Sequence, residues 1–333
     1  MTKAALPSAG RRVLVAGAAG FLGSHLCERL VGFGAVVVGV DNLCTGRLVN
    51  LACLDGHPRF ELRLQDVTKA VELVGDVDWI FHLASPASPR DYLRLPVETL
   101  SVGAIGTSNL LKLAAEKGSR FVLASTSEVY GDPAEHPQRE SYNGNVNPVG
   151  PRSVYDEAKR FAEALTAAYR RERRADGAIV RIFNTYGPRM RPDDGRAVPQ
   201  FIRQARDGLP LTVAGDGSQT RSLCFFSDLV DGLLAVAAHD TAGPVNLGNP
   251  QEISMLSLAR TIRKMCGSTS SIEFVARPVD DPARRRPDVS MARCVLGWSP
   301  RVNLGDGLRR TIAAMEPRPS SAAMASAGLV VRP

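Results

Sequence analysis

No two of the six cysteines (Cys27, Cys44, Cys53, Cys224, Cys266, Cys294) stand closer than nine positions apart. That excludes CxxC redox motifs and paired-cysteine zinc sites, and it offers no dense disulfide framework. Free thiols in a reducing, cytoplasmic setting are the expectation, with no metal. No apolar run approaches the ~20 residues of a membrane span, and the opening stretch MTKAALPSAG lacks the apolar core of a signal peptide. The chain is therefore expected neither to span nor to be anchored to a membrane. Aromatics are sparse and do not interleave with the densest basic stretches, YRRERR (Tyr169–Arg174) and RRR (Arg284–Arg286). Single-stranded nucleic acid is thus not an expected partner. Lysine supplies only six of the 41 basic residues, so arginine carries the net charge of +7. A small anionic substrate accounts for that excess as well as a polyanion does.

What is present is a long alternation of strand-like and helix-like segments. Apolar runs fall at Arg11–Ala18, Ala35–Asn42, Arg59–Val67, Asp78–Ala84, Arg120–Thr126, Ala178–Asn184 and Pro244–Asn249. Helical patterns separate them, at Gly23–Gly32, Pro96–Lys117 and Ser153–Arg174. Strands that are apolar almost throughout predict a parallel sheet covered on both faces, hence an α/β, doubly wound Rossmann-type fold. After Asn184 the rhythm breaks into Pro- and Gly-rich loops. The reading divides the chain into a cofactor domain, 11–184 plus 223–249, and a smaller substrate lobe, 185–222 plus 250–316. Cys224–His239 returns a helix to the first domain, and 317–333 is a low-complexity tail expected to be disordered.

Three patterns carry chemistry. VAGAAGFLG places Gly17, Gly20 and Gly23 between a strand and a helix, a GxxGxxG variant of the dinucleotide fingerprint, with Phe21 and Leu22 inside the turn. Glycine there permits close approach of a pyrophosphate to the helix N-terminus. Asp41 ends the next strand, where an acid can accept both ribose hydroxyls, favouring NAD. Asn42, Thr45, Gly46, Asp66, Val67, Leu83, Ala84 and Ser85 follow at strand ends as further cofactor contacts, and nearby Arg47 keeps NADP open. In YDEAK, Tyr155 and Lys159 lie four apart, on one helix face. An ammonium beside a phenol favours phenolate, and so a proton acceptor for a hydroxyl that loses hydride. Finally, Ser125–Thr126–Ser127–Glu128 ends a buried strand with hydroxyls and one carboxylate at the mouth of the sheet.

Together these residues resemble the extended short-chain dehydrogenase/reductases that act on nucleotide sugars, and within them the UDP-glucuronate decarboxylases (UDP-xylose synthases). HLASPASP, STSEVYGDP, NPVGPRSVYDEAKR, RIFNTYGPRM, DGSQTR, DDPARRRPD and LGWSP carry the likeness, which runs from about Arg11 to Met315. The resemblance implies bound NAD and catalysis by Thr126, Glu128, Tyr155, Lys159 and Arg285. C4 oxidation of a UDP-sugar acid is followed by CO2 loss and re-reduction. Arg285 anchors the sugar carboxylate or diphosphate in that scheme, and Glu128 handles a proton or water at C5. Pro86, Ser88, Asn184, Arg196, Thr212, Val213 and Arg221 complete the substrate contacts. Ser127 stands where 4,6-dehydratases of the superfamily carry Asp, and 4-epimerases lack the glutamate. A dTDP-sugar, a 4-epimerase or dehydratase activity, and a non-catalytic NAD-binding sensor remain the alternatives.

The chain also departs from that pattern. Gly103 replaces an asparagine that braces the active-site strands, and Arg191 replaces a histidine. The loop after Asp66 is longer and is expected near the sugar entrance. Release of the 4-keto-pentose with NADH is one consequence these changes could have. The resemblance further implies a homodimer through Pro96–Lys117 and Ser153–Arg174, paired as a four-helix bundle.

Overall fold

The computed structural model describes residues 9–241, 243–278 and 281–315. The tail after 315, the first eight residues and Asp280 of the DDPARRRPD block lie outside them. Six of the seven strands of the main sheet are β1 (Arg12–Ala16), β2 (Val36–Asp41), β3 (Phe60–Leu64), β4 (Trp79–His82), β5 (Arg120–Thr126) and β6 (Asp176–Ile182). The seventh is Pro244–Leu247. Their order across the sheet is Pro244–Leu247, β6, β5, β4, β1, β2, β3, and every pairing is parallel. The alternating strand–helix sequence dictates this, because a parallel pair needs a crossover and the crossovers are the helices.

Helix α1 (Phe21–Gly32) and the helix Phe226–Ala238 cover one face, over a core that includes Val13, Val15, Leu26, Leu30, Leu233 and Val245. Val289, Ala292, Leu296 and Trp298 join the same core, although the sequence reading groups them with the second lobe. On the other face lie α2 (Pro89–Arg94), α3 (Pro96–Ser101), α4 (Thr107–Lys117) and α5 (Ser153–Arg171), over Leu14, Ile80, Leu110, Phe121 and Ile179. Helix α5 stops three residues short of the expected end. Arg173 takes φ +56°, and Arg174 N–H donates to the Tyr169 carbonyl at 2.9 Å, a left-handed helix stop.

The expected helix Pro96–Lys117 is interrupted by a π-helical turn, Val102–Gly106. Its cause is close packing. A Cβ on Gly103 would stand 2.7 Å from Ala158 Cβ and 2.8 Å from the Ala158 carbonyl oxygen on α5. There is no room for the asparagine the resemblance expects, so direct contact between two helix backbones braces this part of the site. The loop after Asp66 is also placed differently from expectation. Val71, Leu73 and Val77 pack under the sheet beside α4, and Asn109 Nδ2 donates to the Val67 carbonyl at 3.0 Å. Apolar residues in that loop bury themselves beneath the sheet, away from the sugar side.

A second core gathers Tyr186, Phe201, Ile202, Leu211, Val213, Leu258, Ile262 and Leu308. Short strand pairs hold it, Leu211–Ala214 with Ile272–Val275, and Thr220–Ser222 with Glu252–Ser254 and Arg284–Arg285.

Candidate active site

The sheet order reverses between β1 and β4. Where neighbouring strands send their connections to opposite faces, a crevice opens at their carboxyl ends. Two adjoining cavities occupy it. The larger, ≈ 650 Å³, runs from the glycine turn across the ends of β5 and β6 to Phe201 and Leu258 of the second core. The smaller, ≈ 280 Å³, lies over the ends of β1, β2 and β4.

The glycine turn fits a dinucleotide. Gly17 takes φ +84°, and a Cβ there would fall 2.7 Å from Ala84 N. A Cβ on Gly23 would fall 2.0 Å from the Gly17 carbonyl, so α1 can start this close to β1 only without a side chain. Asp41 is buried, and its oxygens accept from the Ala19 and Leu43 N–H groups at 2.9 and 2.8 Å. Burial pushes its carboxyl above the ordinary value, against the pull of those bonds. It keeps free lone pairs for ribose hydroxyls. Asp41, Asn42, Thr45, Gly46, Asp66, Val67, Leu83, Ala84, Ser85 and Pro86 line the smaller cavity, while Phe21, Leu22 and Gly23 line the larger. These residues would hold NAD.

At the floor of the larger cavity the strand end and α5 meet. The Tyr155 hydroxyl is hydrogen-bonded to Thr126. Lys159 is buried, stands 5.8 Å from the Tyr155 ring centroid, and donates to the Ala124 carbonyl at 2.9 Å. Burial lowers the Lys159 ammonium to about 8, partly offset by Glu163. The expected phenolate is not favoured by the protein alone, because burial pushes the Tyr155 hydroxyl above its ordinary value and Glu128 adds to the rise. Thr126 works the other way. Tyr92 stacks on Tyr155 with centroids 5.2 Å apart and planes 7° apart.

Glu128, just past the end of β5, is held by two arginines. Its Oε1 lies 2.7 Å from Arg285 and its Oε2 lies 2.7 Å from Arg152. Burial favours the neutral acid, but the two guanidiniums hold the carboxyl down at about 2. Arg285 is fully buried, donates to the Gly131 carbonyl at 2.6 Å, and stands 3.4 Å from Ser127 Oγ. It is not among the residues lining the cavity and reaches the site through Glu128. Its neighbours Arg284 and Arg286 are more exposed, as the sequence suggests.

Ser88, Asn184, Arg196, Thr212 and Arg221 all line the larger cavity. Arg221 is held by both oxygens of Asp281 at 2.9 Å, and Arg196 is paired with Asp194. Val213 does not line it. Strand alternation turns its side chain into the second-lobe core, and Thr212 and Ala214 face the cavity instead.

Sequence reasoning missed Arg152, Tyr92, Asp156 and the Asp91–Arg191 pair. One signal was available, since arginine at the start of a helix opposes the macrodipole and so needs another reason to be there. Asp156 is buried, its Oδ1 has no hydrogen-bond partner among the described residues, and burial with the Glu128 charge raises it to about 7. Arg191, in place of the expected histidine, bonds buried Asp91 at 2.6 Å.

The family model described as "NAD dependent epimerase/dehydratase family" matches residues 13–248. UDP-glucuronic acid decarboxylase 1 of Arabidopsis thaliana is 51% identical over 302 residues, 91% of this chain and 69% of that protein. Its namesake in Xenopus tropicalis is 50% identical over 302 residues, 91% of this chain and 71% of that protein. Among solved structures, UDP-glucuronic acid 4-epimerase from Bacillus cereus, in complex with UDP-glucuronic acid and NAD, superposes with a TM-score of 0.82. It is 29% identical and covers 91% of this chain and 98% of its own.

Proposed function

The chain belongs to the NAD dependent epimerase/dehydratase family, and from that membership we propose that it is an NAD-dependent decarboxylase of UDP-glucuronate that yields UDP-xylose. The carrying observation is a carboxylate, Glu128, clamped by arginines beside the Thr126–Tyr155 pair, next to a serine where a dehydratase needs an acid. Its relatives' names point the same way.

UDP-glucuronate has a hydroxyl at C4 and a carboxylate at C6. Oxidation at C4 creates a β-keto acid. Breaking the C5–C6 bond then releases CO2 and leaves its electron pair as the enolate of the C4 ketone. A proton returns to C5, and hydride returned to C4 gives the pentose. When bound, NAD supplies the hydride acceptor and later the donor, and its positive ring adds to the pull on the Tyr155 proton. Tyr155 takes the C4 hydroxyl proton, and Thr126 holds the same oxygen. Lys159 orients the ring from below and contributes its charge. Glu128, ionised at neutral pH, repels the substrate carboxylate and receives or places the proton or water at C5. Ser127, buried and bonded by Arg285, offers no acid to a C6 hydroxyl.

Asn184, Arg196, Thr212 and Arg221 bind the nucleotide. Val213 contributes through its backbone, and Pro86 and Ser88 border the sugar. The first domain carries the cofactor and the second lobe the nucleotide. A homodimer forms through α3, α4 and α5, where Val97, Leu100, Ile105 and Phe161 are exposed apolar residues on neighbouring helices. No helix among the described residues is long and apolar enough to cross a membrane. All six cysteines are free, which supports a reducing, cytoplasmic setting.

Incubation with NAD and either UDP- or dTDP-glucuronate, with CO2 and nucleotide-sugar masses followed, tests the function. CO2 with a UDP-pentose is expected. A 4-keto-pentose with stoichiometric NADH keeps the decarboxylase and removes only the final reduction. A 4-keto-6-deoxy sugar from UDP-glucose, with no CO2 from UDP-glucuronate, would overturn it.

A further inference from the structure

Glu128 is held by two arginines that are not equivalent. Arg285 is 1% exposed and bonds a backbone carbonyl and Ser127 as well as Glu128. Its strand, Arg284–Arg285, is paired with Thr220–Ser222. Arg152 is 14% exposed, lines the cavity, and donates to Glu128 Oε2 at 2.7 Å. It lies just ahead of the first turn of α5, three residues before Tyr155.

Beside it is an unanswered donor. The Tyr92 hydroxyl is buried and has no hydrogen-bond partner among the described residues. Tyr92 stacks on Tyr155 and lines the same cavity. Tyr92, Glu128, Arg152 and Tyr155 all line the larger cavity. That wall therefore offers one carboxylate, one guanidinium and one hydroxyl donor without a partner among the described residues. A substrate carboxylate entering here is repelled by Glu128 unless a cation stands between them.

We propose that Arg152, with Tyr92, is the receptor for the substrate carboxylate: Arg152 exchanges Glu128 Oε2 for the sugar acid while Arg285 keeps hold of Glu128. The inference rests on the decarboxylase reading for the identity of the acid. It assigns to Arg152 the carboxylate contact that the family resemblance implies for Arg285. Its chemistry is self-limiting. Once CO2 has left and C5 of the enolate is protonated, the sugar carries no charge for Arg152 to hold, and the guanidinium returns to Glu128. The exchange costs no net ion pair, and Glu128 is freed on one oxygen only while the acid is present.

The test compares two ligands that differ by the carboxylate, UDP-glucuronate and UDP-xylose. Binding is measured by calorimetry on the NAD-loaded protein carrying Tyr155→Phe, which blocks turnover. Adding Arg152→Gln is expected to weaken UDP-glucuronate by roughly 10- to 100-fold, the range for a lost charged hydrogen bond. UDP-xylose should shift less than about 3-fold on the same scale. Arg152→Lys should recover part of the loss. Tyr92→Phe should show the same selectivity with a smaller effect, and it carries the test together with the lysine variant if Arg152→Gln fails to fold by circular dichroism. Equal weakening of both ligands, or no weakening of either, overturns the proposal, since a purely structural arginine would not distinguish them. CO2 release by the unmutated enzyme is scored separately. Its absence alongside selective carboxylate binding would sink the decarboxylase reading and leave the receptor standing.

Discussion

Glu128 and Asp156 show how burial and neighbouring charge decide a carboxyl group's state. Both favour the neutral acid through burial, but Glu128 has two guanidiniums within 2.7 Å and Asp156 has an oxygen with no hydrogen-bond partner among the described residues. Glu128 is therefore held down at about 2 and Asp156 is raised to about 7. Glu128→Gln leaves two guanidiniums facing a neutral amide. It should cost about 3 kcal/mol at pH 7, the range for a broken buried pair. Because the folded value lies below the unfolded one, the contribution of Glu128 is present above pH ~4.5 and fades as pH falls toward the folded value. Urea denaturation at pH 7 and pH 3 should show the gap between wild type and variant shrinking at the lower pH. For Asp156 the sign reverses. Its folded value is raised, so its stability is complete below its ordinary range and lost as pH rises through about 7. Asp156→Asn should raise the melting temperature at pH 8 and change it little at pH 4. An equal shift at both would mean that charge is not the cause.

At the scale of elements, α5 carries Tyr155 and Lys159, and its position is set by what touches its inner side. Gly103, in the π-helical turn, meets Ala158, the residue next to Lys159. Gly103→Ala should cost roughly 1–3 kcal/mol, as overpacking does. It should lower kcat more than it weakens NAD, because α5 moves while the glycine turn does not. Ala158→Gly in the same chain should not restore them, because the Ala158 carbonyl oxygen, 2.8 Å from the added Cβ, stays in place. Full rescue would show that the Ala158 side chain, not the helix backbone, is the brace. Gly23→Ala is the contrasting case, since a Cβ 2.0 Å from the Gly17 carbonyl deforms the turn itself. NAD binding measured by fluorescence quenching should then be lost before any effect on the sugar side is seen.

For the whole molecule, the segment after β6 meets α2 across the cavity and is tied to it by charge. Arg191 bonds Asp91 on α2, and Arg90 reaches back to the Asp193 carbonyl at 2.8 Å. On the outer side, Ile105 is 51% and Phe161 50% exposed. Apolar residues of this size on adjoining helices are unusual on a monomer's surface and suit an isologous contact. Light scattering at micromolar concentration should give twice 35.7 kDa for the wild type. It should give the single mass for Phe161→Glu combined with Ile105→Glu. A wild-type monomer would remove the dimer from the proposal.

Local periodicity was enough to place the seven parallel strands, the glycine turn, Asp41 at the end of β2, and Tyr155 with Lys159 on one helix face. Each depends on residues a few positions apart, and continuous apolar runs, helical spacing and short motifs encode that directly. The limits of that code appear at Val102–Gly106, where a helical pattern continues through a π turn imposed by contact with α5. They appear again in the loop after Asp66, whose apolar residues the sheet buries. For the clamp on Glu128, the resemblance brought Arg285 to the site but neither its ion pair with Glu128 nor the second arginine, Arg152. Arg285 is 157 positions away, and Arg152 is one arginine among many. Only the folded chain decides which of them is sealed behind the carboxylate and which faces the cavity, because charge pairing is set by burial and distance rather than by order along the chain.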